Sequence, residues 1–357
     1  MTEARLKQAA GTAERIGVAF SGGVDSAVSV RLLQEAGFAV EAWHMLTCSA
    51  APAPGVAQVA EALGVPLHVV DLREAFEAEV VAPFYEAYAC GRTPNPCAWC
   101  NPRMKFGLLR QSIGGRMATG HYVGVGVEPV SGVRTLRCAD DAAKDQSYFL
   151  YGVSAAALEQ VVFPLAGRTR AEVVELARRW GLPIAEGKLS SGSQDICFLP
   201  GGDYREELCR RYPEVRRPGD VLSLEGRVIG RHTGLANYTR GQRKGVGVAT
   251  GGRAFVVGFD RVRNTLTLGP REALERRRFR VGEMNWLVPP VFPLCCEAVS
   301  RYHHRAFACT VAADGWVEAE EAQTLVTPGQ ACVFYRGPWL LGGGVILPEG
   351  EEVEGRR

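Results

Sequence analysis

The loop Ser21-Gly22-Gly23-Val24-Asp25-Ser26 constrains the fold of this chain more than any other stretch. It follows an apolar run at residues 16–20 and precedes a mostly apolar run at residues 27–33, a pattern that predicts a strand, a glycine turn and a helix. Adjacent glycines let backbone N–H groups approach an anion, and a helix N-terminus adds the positive end of its dipole. The loop therefore predicts a phosphate-binding turn. An ordinary glycine turn between strand and helix is the alternative.

The residues that follow predict a parallel sheet. Strand-like runs at 38–45 and 67–71 alternate with helix-like runs at 56–63 and 72–89. This βαβ order is typical of a doubly wound α/β fold, whose ligands bind beyond the carboxyl ends of the strands. We therefore expect the glycine loop, Met45 and the segment Thr119-Gly120-His121 at one edge of the sheet.

Helical periodicity fades after about residue 205, beyond a helix that opens with the capping box Thr169-Arg170-Ala171-Glu172. Short alternating segments separated by glycines take over, which predicts antiparallel β modules. The predicted fold class is α/β, a doubly wound parallel sheet followed by two smaller, mostly β domains. The expected domains are a catalytic domain at 1–205, a central β-rich domain at 206–272 and a C-terminal β-barrel at 273–357.

Composition favours a cytoplasmic enzyme. No apolar run reaches transmembrane length and no signal-peptide core is found, so no membrane partner is expected. The net charge is only +2, so any nucleic-acid binding has to come from local basic patches. Eleven cysteines, an odd number without a secretion signal, argue against a disulfide framework.

Three of these cysteines stand out. Cys97 and Cys100 form a C-x-x-C pair in a segment stiffened by Pro94 and Pro96, which predicts a loop whose two thiols can share a metal, form a disulfide or exchange one. No second pair at zinc-finger spacing completes a zinc site. Cys197 follows the Thr169 helix in a predicted loop, and taken alone it is more simply a buried structural thiol.

The glycine loop differs from the two common phosphate-binding motifs. It lacks the Gly-Lys-Ser/Thr of a Walker loop and does not have the form G-x-G-x-x-G. S-G-G-x-D-S resembles the PP-loop of the N-type ATP pyrophosphatases, which cleave ATP between its α and β phosphates to adenylate a substrate oxygen.

Further motifs extend the resemblance over nearly the whole chain. The motifs resemble those of the tRNA-specific 2-thiouridylases and occur along the chain in the same order. These enzymes put sulfur on C2 of the wobble uridine of certain tRNAs. The matching segments are 21–26, 91–96, 100–101, 118–122, 144–150, 196–198, 241–245 and 326–330.

This resemblance implies a role for each matching residue. ATP, accompanied by Mg²⁺, would be held by Ala19, Phe20, Ser21, Gly22, Gly23, Val24, Asp25, Ser26, Met45 and Gly120. The tRNA would be contacted by Asn95, Pro96, Cys97, His121, Lys144, Asp145, Gln146, Arg301, Tyr302 and Gln330. Cys100 would be the first catalytic cysteine, and Cys197 would carry a persulfide sulfur.

Cys97 departs from the better-known family form, which has an aspartate at this position. Related enzymes pair C-x-x-C with a distant third cysteine to hold a [4Fe–4S] cluster. Two hypotheses follow for the catalytic cysteines Cys97, Cys100 and Cys197: a three-cysteine cluster, or a persulfide on Cys197 released by disulfide formation with Cys100. The sulfur would come from a cysteine desulfurase, a sulfur-relay protein or hydrosulfide, and we expect a monomer or weak dimer.

The leading interpretation is an ATP-dependent tRNA sulfurtransferase that forms AMP and pyrophosphate. The alternative enzyme is another PP-loop ligase, which adenylates a small molecule and accepts ammonia. A non-enzymatic RNA-binding protein with a vestigial nucleotide fold is the third interpretation. The intact Ser21–Ser26 loop disfavours it.

Overall fold

A computed structural model describes residues 14–187, 196–199, 203–249, 251–324 and 326–348. The first part of the chain contains seven strands: β1 (Arg15–Ala19), β2 (Ala39–Leu46), β3 (Leu67–Asp71), β4 (Met117–Thr119), β5 (Gly124–Val127), β6 (Arg134–Arg137) and β7 (Val161–Val162). Five of them form a sheet in the order β3-β2-β1-β4-β7, and all its pairings are parallel. The predicted doubly wound α/β class is confirmed.

Helices cover this sheet. They are α1 (Val24–Glu35), α2 (Pro54–Ala62), the continuous α3 (Arg73–Phe76, π-helical Glu77–Val81, Ala82–Ala89), the continuous α4 (Pro96–Cys100, π-helical Asn101–Leu109, Arg110–Ile113), α5 (Ala155–Glu159), α6 (Arg170–Arg179) and α7 (Arg205–Arg211). Short 3₁₀ turns occupy Ser147–Leu150, Pro213–Arg216, Leu235–Asn237 and Arg271–Leu274. Thr169 and Glu172 form the predicted capping box of α6, and Gly181, with φ +60°, follows its end. No helix in these described ranges is long and apolar enough to cross a membrane.

The central module is a four-stranded sheet in the order β10-β11-β8-β9. Its strands are β8 (Gly219–Leu222), β9 (Val228–His232), β10 (Phe255–Asp260) and β11 (Thr265–Gly269). The expectation of antiparallel pairing holds for β8–β9 and β10–β11. It is wrong for β8–β11, which pair in parallel because a crossover joins the two hairpins.

The last module is a closed six-stranded antiparallel barrel, as predicted. Its strands are β12 (Glu275–Trp286), β13 (Leu294–Val299), β14 (Phe307–Val311), β15 (Trp316–Thr324), β16 (Ala331–Arg336) and β17 (Trp339–Ile346). They follow the order β12-β15-β14-β13-β16-β17, and β17 pairs with β12 to close the ring. Closure leaves no open sheet edge in the barrel itself.

The α/β module and the barrel are joined by more than the chain. Hairpin β5–β6 extends the barrel sheet through Trp339 and Arg137, and the Thr135 hydroxyl donates to the Leu340 carbonyl oxygen at 2.7 Å. One hydrophobic core contains Leu150 of the first module together with Val333 of the barrel. The first and third modules therefore form one packed body that can fix the position of a site between them.

Candidate active site

The glycine loop is an open helix N-terminus. Gly23 is the N-cap of α1, and no described side chain caps this end. Inside the turn, the Ser26 hydroxyl donates to the Gly23 carbonyl oxygen at 2.9 Å and accepts from the Ser21 amide at 3.3 Å. These bonds hold the turn closed while the first-turn amides remain available to an anion.

Glycine is required at two positions of this cradle. Gly22 has φ +74°, and a Cβ there would lie 2.9 Å from the Val56 Cα. A Cβ on Gly120, just beyond β4, would lie 2.8 Å from the Asp25 carbonyl carbon. β1 pairs with β2 on one side and β4 on the other, so the glycine loop, Met45 and Gly120 lie at the same sheet edge, as predicted.

Asp25 is held by two residues that were not singled out as site residues from the sequence. The Tyr122 hydroxyl donates to Asp25 Oδ1 at 2.7 Å, and Arg170, whose side chain is only 13% exposed, forms an ion pair with the same carboxylate. Burial lowers the pKa of the Arg170 guanidinium, because it disfavours the charged form. The carboxylate of Asp25 and the hydroxyl of Tyr122 raise the pKa by more, so the net shift is upward. The cradle is thereby tied to the first residue of α6. Arg170 was visible in the sequence only as part of a capping box.

Cys97 and Cys100 lie within the first five residues of helix α4, so the predicted loop is wrong at these two residues. Pro96 occupies the first turn, where its missing N–H costs nothing, and Asn95 Oδ1 accepts from the Ala98 amide at 3.3 Å as an N-cap. Residues three apart on a helix share a face. Both thiols therefore lie on one side of the helix start.

Cys197 is exposed, so the expectation of a buried structural thiol is wrong. It lies in a tight turn, in which the Leu199 amide donates to the Ile196 carbonyl oxygen at 2.9 Å. Its neighbours Ile196 and Phe198 pack against the hydrophobic cluster around Phe84 that also takes up Cys100 and Met45. A single cluster thus connects the two cysteine segments with the end of β2.

The thiols affect one another electrostatically. Desolvation by the surrounding protein atoms, and then the thiols of Cys100, Cys48 and Cys97, raise the pKa of Cys197 to about 12, although the residue keeps an exposed surface. Desolvation also raises the pKa of the exposed Cys97 and of the half-buried Cys100, and for both the positive charge of Lys105 acts in the opposite direction. These four thiols and Lys105 share one neighbourhood, and the raised pKa values keep the thiols of Cys97, Cys100 and Cys197 protonated at neutral pH. No motif of the sequence pointed to Lys105.

Among the residues that the structure describes, no metal centre is preformed. Cys97, Cys100 and Cys197 are free thiols. Within the part of the chain that the structure describes, no three His, Cys, Asp or Glu side chains are placed to hold a metal ion together. The donor set is nevertheless the one that iron–sulfur clusters use.

Several residues expected to contact tRNA have internal partners. His121 is buried, and its Nδ1 lies 2.8 Å from the Thr119 hydroxyl. Asp145 accepts from the Ala139 amide at 2.7 Å and from the Ser147 hydroxyl at 2.6 Å, and Gln146 Oε1 accepts from the Tyr122 amide at 2.9 Å. In this structure these three side chains form hydrogen bonds within the protein. Their contact with tRNA stays a prediction.

The other expected tRNA contacts are spread over two modules. Lys144 is half-buried beside this network, whereas Arg301 is exposed at the barrel. Tyr302 packs on Phe149 with ring centroids 4.3 Å apart. Gln330 contacts the loop that precedes Cys97. Asn95 and Pro96 lie at the start of the helix on which Cys97 is found.

Comparison with known proteins covers the same three modules. Residues 14–201 match the family described as tRNA methyl transferase HUP domain, residues 206–270 the tRNA methyl transferase PRC-barrel domain, and residues 276–346 the Aminomethyltransferase beta-barrel domain. The chain is 40% identical to the tRNA-specific 2-thiouridylase MnmA of Heliobacterium modesticaldum, over 94% of this chain and 92% of that protein. It is 42% identical to the protein of the same name from Chloroflexus aurantiacus, over 92% of this chain and 97% of that protein.

Proposed function

We propose that this chain, which belongs to the family of the tRNA-specific 2-thiouridylases, uses ATP to replace the C2 oxygen of the wobble uridine of tRNA with sulfur. One observation carries the proposal. The glycine loop and Met45 lie at the same edge of the sheet. Met45 also packs on the hydrophobic cluster that contacts Cys100 and the turn that contains Cys197. Activation and sulfur delivery would then take place in one pocket.

The first step is adenylation of the uridine. The C2 oxygen attacks the α-phosphorus of ATP, the bond between the α-phosphorus and the bridging oxygen breaks, and pyrophosphate leaves. Amides at the start of α1 would stabilise the charge on the phosphates, and the Mg²⁺ that accompanies ATP would neutralise more of it. Asp25 would stay fixed by Arg170 and Tyr122, so the cradle keeps its shape.

The second step is sulfur transfer. In the persulfide route, the terminal sulfur of a Cys197 persulfide attacks C2 and the C2–oxygen bond breaks, so that AMP leaves with that oxygen. The Cys100 thiolate then attacks Cys197 Sγ and forms a Cys100–Cys197 disulfide, while the electron pair of the broken sulfur–sulfur bond stays on the transferred sulfur. Lys105, whose charge lowers the thiol pKa values, would favour the Cys100 thiolate. Before the next turnover, a dithiol reductant has to reduce this disulfide to two thiols by donating two electrons, and the sulfur donor then transfers a sulfur atom that restores the persulfide on Cys197.

The cluster route uses the same cysteines differently. Cys97, Cys100 and Cys197 are the residues that would hold a [4Fe–4S] cluster, and three-cysteine ligation leaves one iron open to a hydrosulfide nucleophile. Because no three-ligand group is preformed in the described residues, the side chains would have to close around such a cluster.

Two other reactions fit the site less well. A PP-loop ligase that accepts ammonia has no use for Cys100 and Cys197. A methyl transfer, named in two of the family descriptions, has no use for a turn that binds phosphates for adenylation. Of these three reactions, only adenylation followed by sulfur transfer gives a role to the glycine loop and to both cysteines.

We expect pyrophosphate release from ATP to depend on tRNA that lacks the 2-thio group. The measurement is pyrophosphate formed with unmodified tRNA, with fully thiolated tRNA and without tRNA. Release without tRNA would favour the small-molecule ligase. No release under any of the three conditions would favour a binding protein without catalysis.

Replacing Cys97 by alanine separates the two sulfur routes. If the cluster route operates, anaerobically purified protein contains about four irons per chain, and the Cys97→Ala variant loses iron and 2-thiouridine formation together. A Cys97→Ala variant with full activity and no dependence on iron would contradict the cluster route and favour the persulfide. The matched control is Cys295→Ala, because Cys295 is an exposed cysteine of the barrel.

A further inference from the structure

The C-terminal barrel holds the backbone that leads into the catalytic cysteines. Gln330 Nε2 donates to the Thr93 carbonyl oxygen at 2.8 Å and to the Pro94 carbonyl oxygen at 3.3 Å. The Thr93 amide in turn donates to the Pro328 carbonyl oxygen at 2.9 Å. Three hydrogen bonds thus connect one barrel turn to two consecutive residues of the loop.

The barrel turn that makes these bonds is itself fixed. The Gln330 amide donates to the Thr327 carbonyl oxygen at 3.1 Å, and Gln330 and Gly329 exchange backbone bonds with Ile346 at 2.9 Å. Gly329 has φ +90°, and a Cβ there would lie 3.0 Å from the Thr93 carbonyl oxygen. Backbone therefore packs directly on backbone, and the turn can transmit its position to the loop.

The loop passes this position on to the cysteines. Pro94 and Pro96 restrict the chain, and between them Asn95 caps the helix on which Cys97 and Cys100 lie. A carboxamide nitrogen has two protons, and this nitrogen lies within hydrogen-bond distance of two loop carbonyl oxygens. A contact of Gln330 with tRNA would have to use its oxygen or give up one of these bonds.

We propose that Gln330 is a positioning residue, which sets the start of helix α4 and so places Cys97 and Cys100 against the activated uridine. This inference rests on the proposed function and departs from the direct tRNA contact that the family resemblance implies for Gln330. Misplacement of reacting groups by about 1 Å can cost about 100-fold in rate. The loss should therefore appear in catalysis and not in RNA binding.

The test is the variant Gln330→Met, which keeps the side-chain length and neutrality but removes the donors. We expect kcat for 2-thiouridine formation at saturating tRNA to fall by about 10- to 100-fold, while the Kd for tRNA stays within about twofold. Gln323→Met is the control, because Gln323 lies on β15 of the same barrel and its side chain donates to the carbonyl oxygen of Glu321 on the same strand. Both kcat and Kd should stay at wild-type values in the control.

A second readout does not need the reaction. Alkylation of Cys97 by iodoacetamide, followed by peptide mass spectrometry without ATP or tRNA, should accelerate several-fold in Gln330→Met because the helix start is released. If the wild-type enzyme forms no 2-thiouridine, the proposed function fails, and this rate still decides the role of Gln330. If Gln330→Met does not fold, the same alkylation rate is measured on Gly329→Ala, in which the new Cβ pushes the barrel turn away from Thr93.

The opposite pattern would overturn the inference. An unchanged kcat with a Kd raised tenfold or more would make Gln330 a direct tRNA contact. Unchanged kcat, Kd and alkylation rate would leave the three hydrogen bonds without a role in the site.

Discussion

Replacing Cys197 by serine is expected to reduce 2-thiouridine formation by about 1,000-fold or more while ATP is still cleaved. Serine keeps the size of the side chain, but it can neither carry a persulfide nor ligate iron as a thiolate does. The glycine loop lies on a different segment and is left intact. Uridine would still be adenylated, and water would slowly take the place of sulfur. The measurement is pyrophosphate and 2-thiouridine formed per tRNA in one reaction.

The matched control is Cys295→Ser. Cys295 is exposed on β13, with its Sγ 3.8 Å from the Thr310 hydroxyl, and has no place in either sulfur route. It should form 2-thiouridine at the wild-type rate. Wild-type thiolation by Cys197→Ser would remove Cys197 from the mechanism, and both sulfur routes would fail with it.

Replacing Gly22 by alanine is expected to stop the reaction one step earlier. The new Cβ would lie 2.9 Å from the Val56 Cα, so either the loop or helix α2 has to move. Amides that bind phosphate are effective only when placed within a fraction of an ångström. We expect tRNA-dependent pyrophosphate release to fall by about 100-fold, and 2-thiouridine formation to fall with it.

Gly37→Ala separates this steric effect from backbone strain. Gly37 has φ +89°, like Gly22 a conformation that alanine adopts at a cost of about 1 to 3 kcal/mol, but nothing lies within 4 Å of its Cβ position. Its variant should lose stability without losing pyrophosphate release in the folded protein. Equal losses of activity in the two variants would show that strain, and not the cradle, explains the effect of Gly22→Ala.

Local sequence signals predicted the parts of this protein that are built locally. The glycine loop between β1 and α1 and the capping box of Thr169 are specified by adjacent residues. The helical start at Cys97 was also specified locally, since Pro96 after an Asn cap favours a helix. Prolines are also common in loops, which is why the sequence predicts a loop where the structure has the start of a helix.

Contacts between distant residues could not be predicted in this way. The pairs Asp25–Arg170 and Thr93–Gln330 are separated by 145 and 237 residues. No periodicity or spacing links such positions, because their approach depends on how whole modules pack. The joining of hairpin β5–β6 to the barrel belongs to the same class, and it places residues of the first module in the sheet of the third.

The most direct test of the account follows one oxygen atom. An anticodon stem-loop carrying ¹⁸O at C2 of the wobble uridine is thiolated with unlabelled ATP, and the AMP is analysed by mass spectrometry. If the glycine loop activates the uridine oxygen and the cysteines deliver the sulfur, one ¹⁸O appears in AMP for each 2-thiouridine formed. Unlabelled AMP alongside 2-thiouridine would show that the C2 oxygen is never adenylated, and would contradict the central claim.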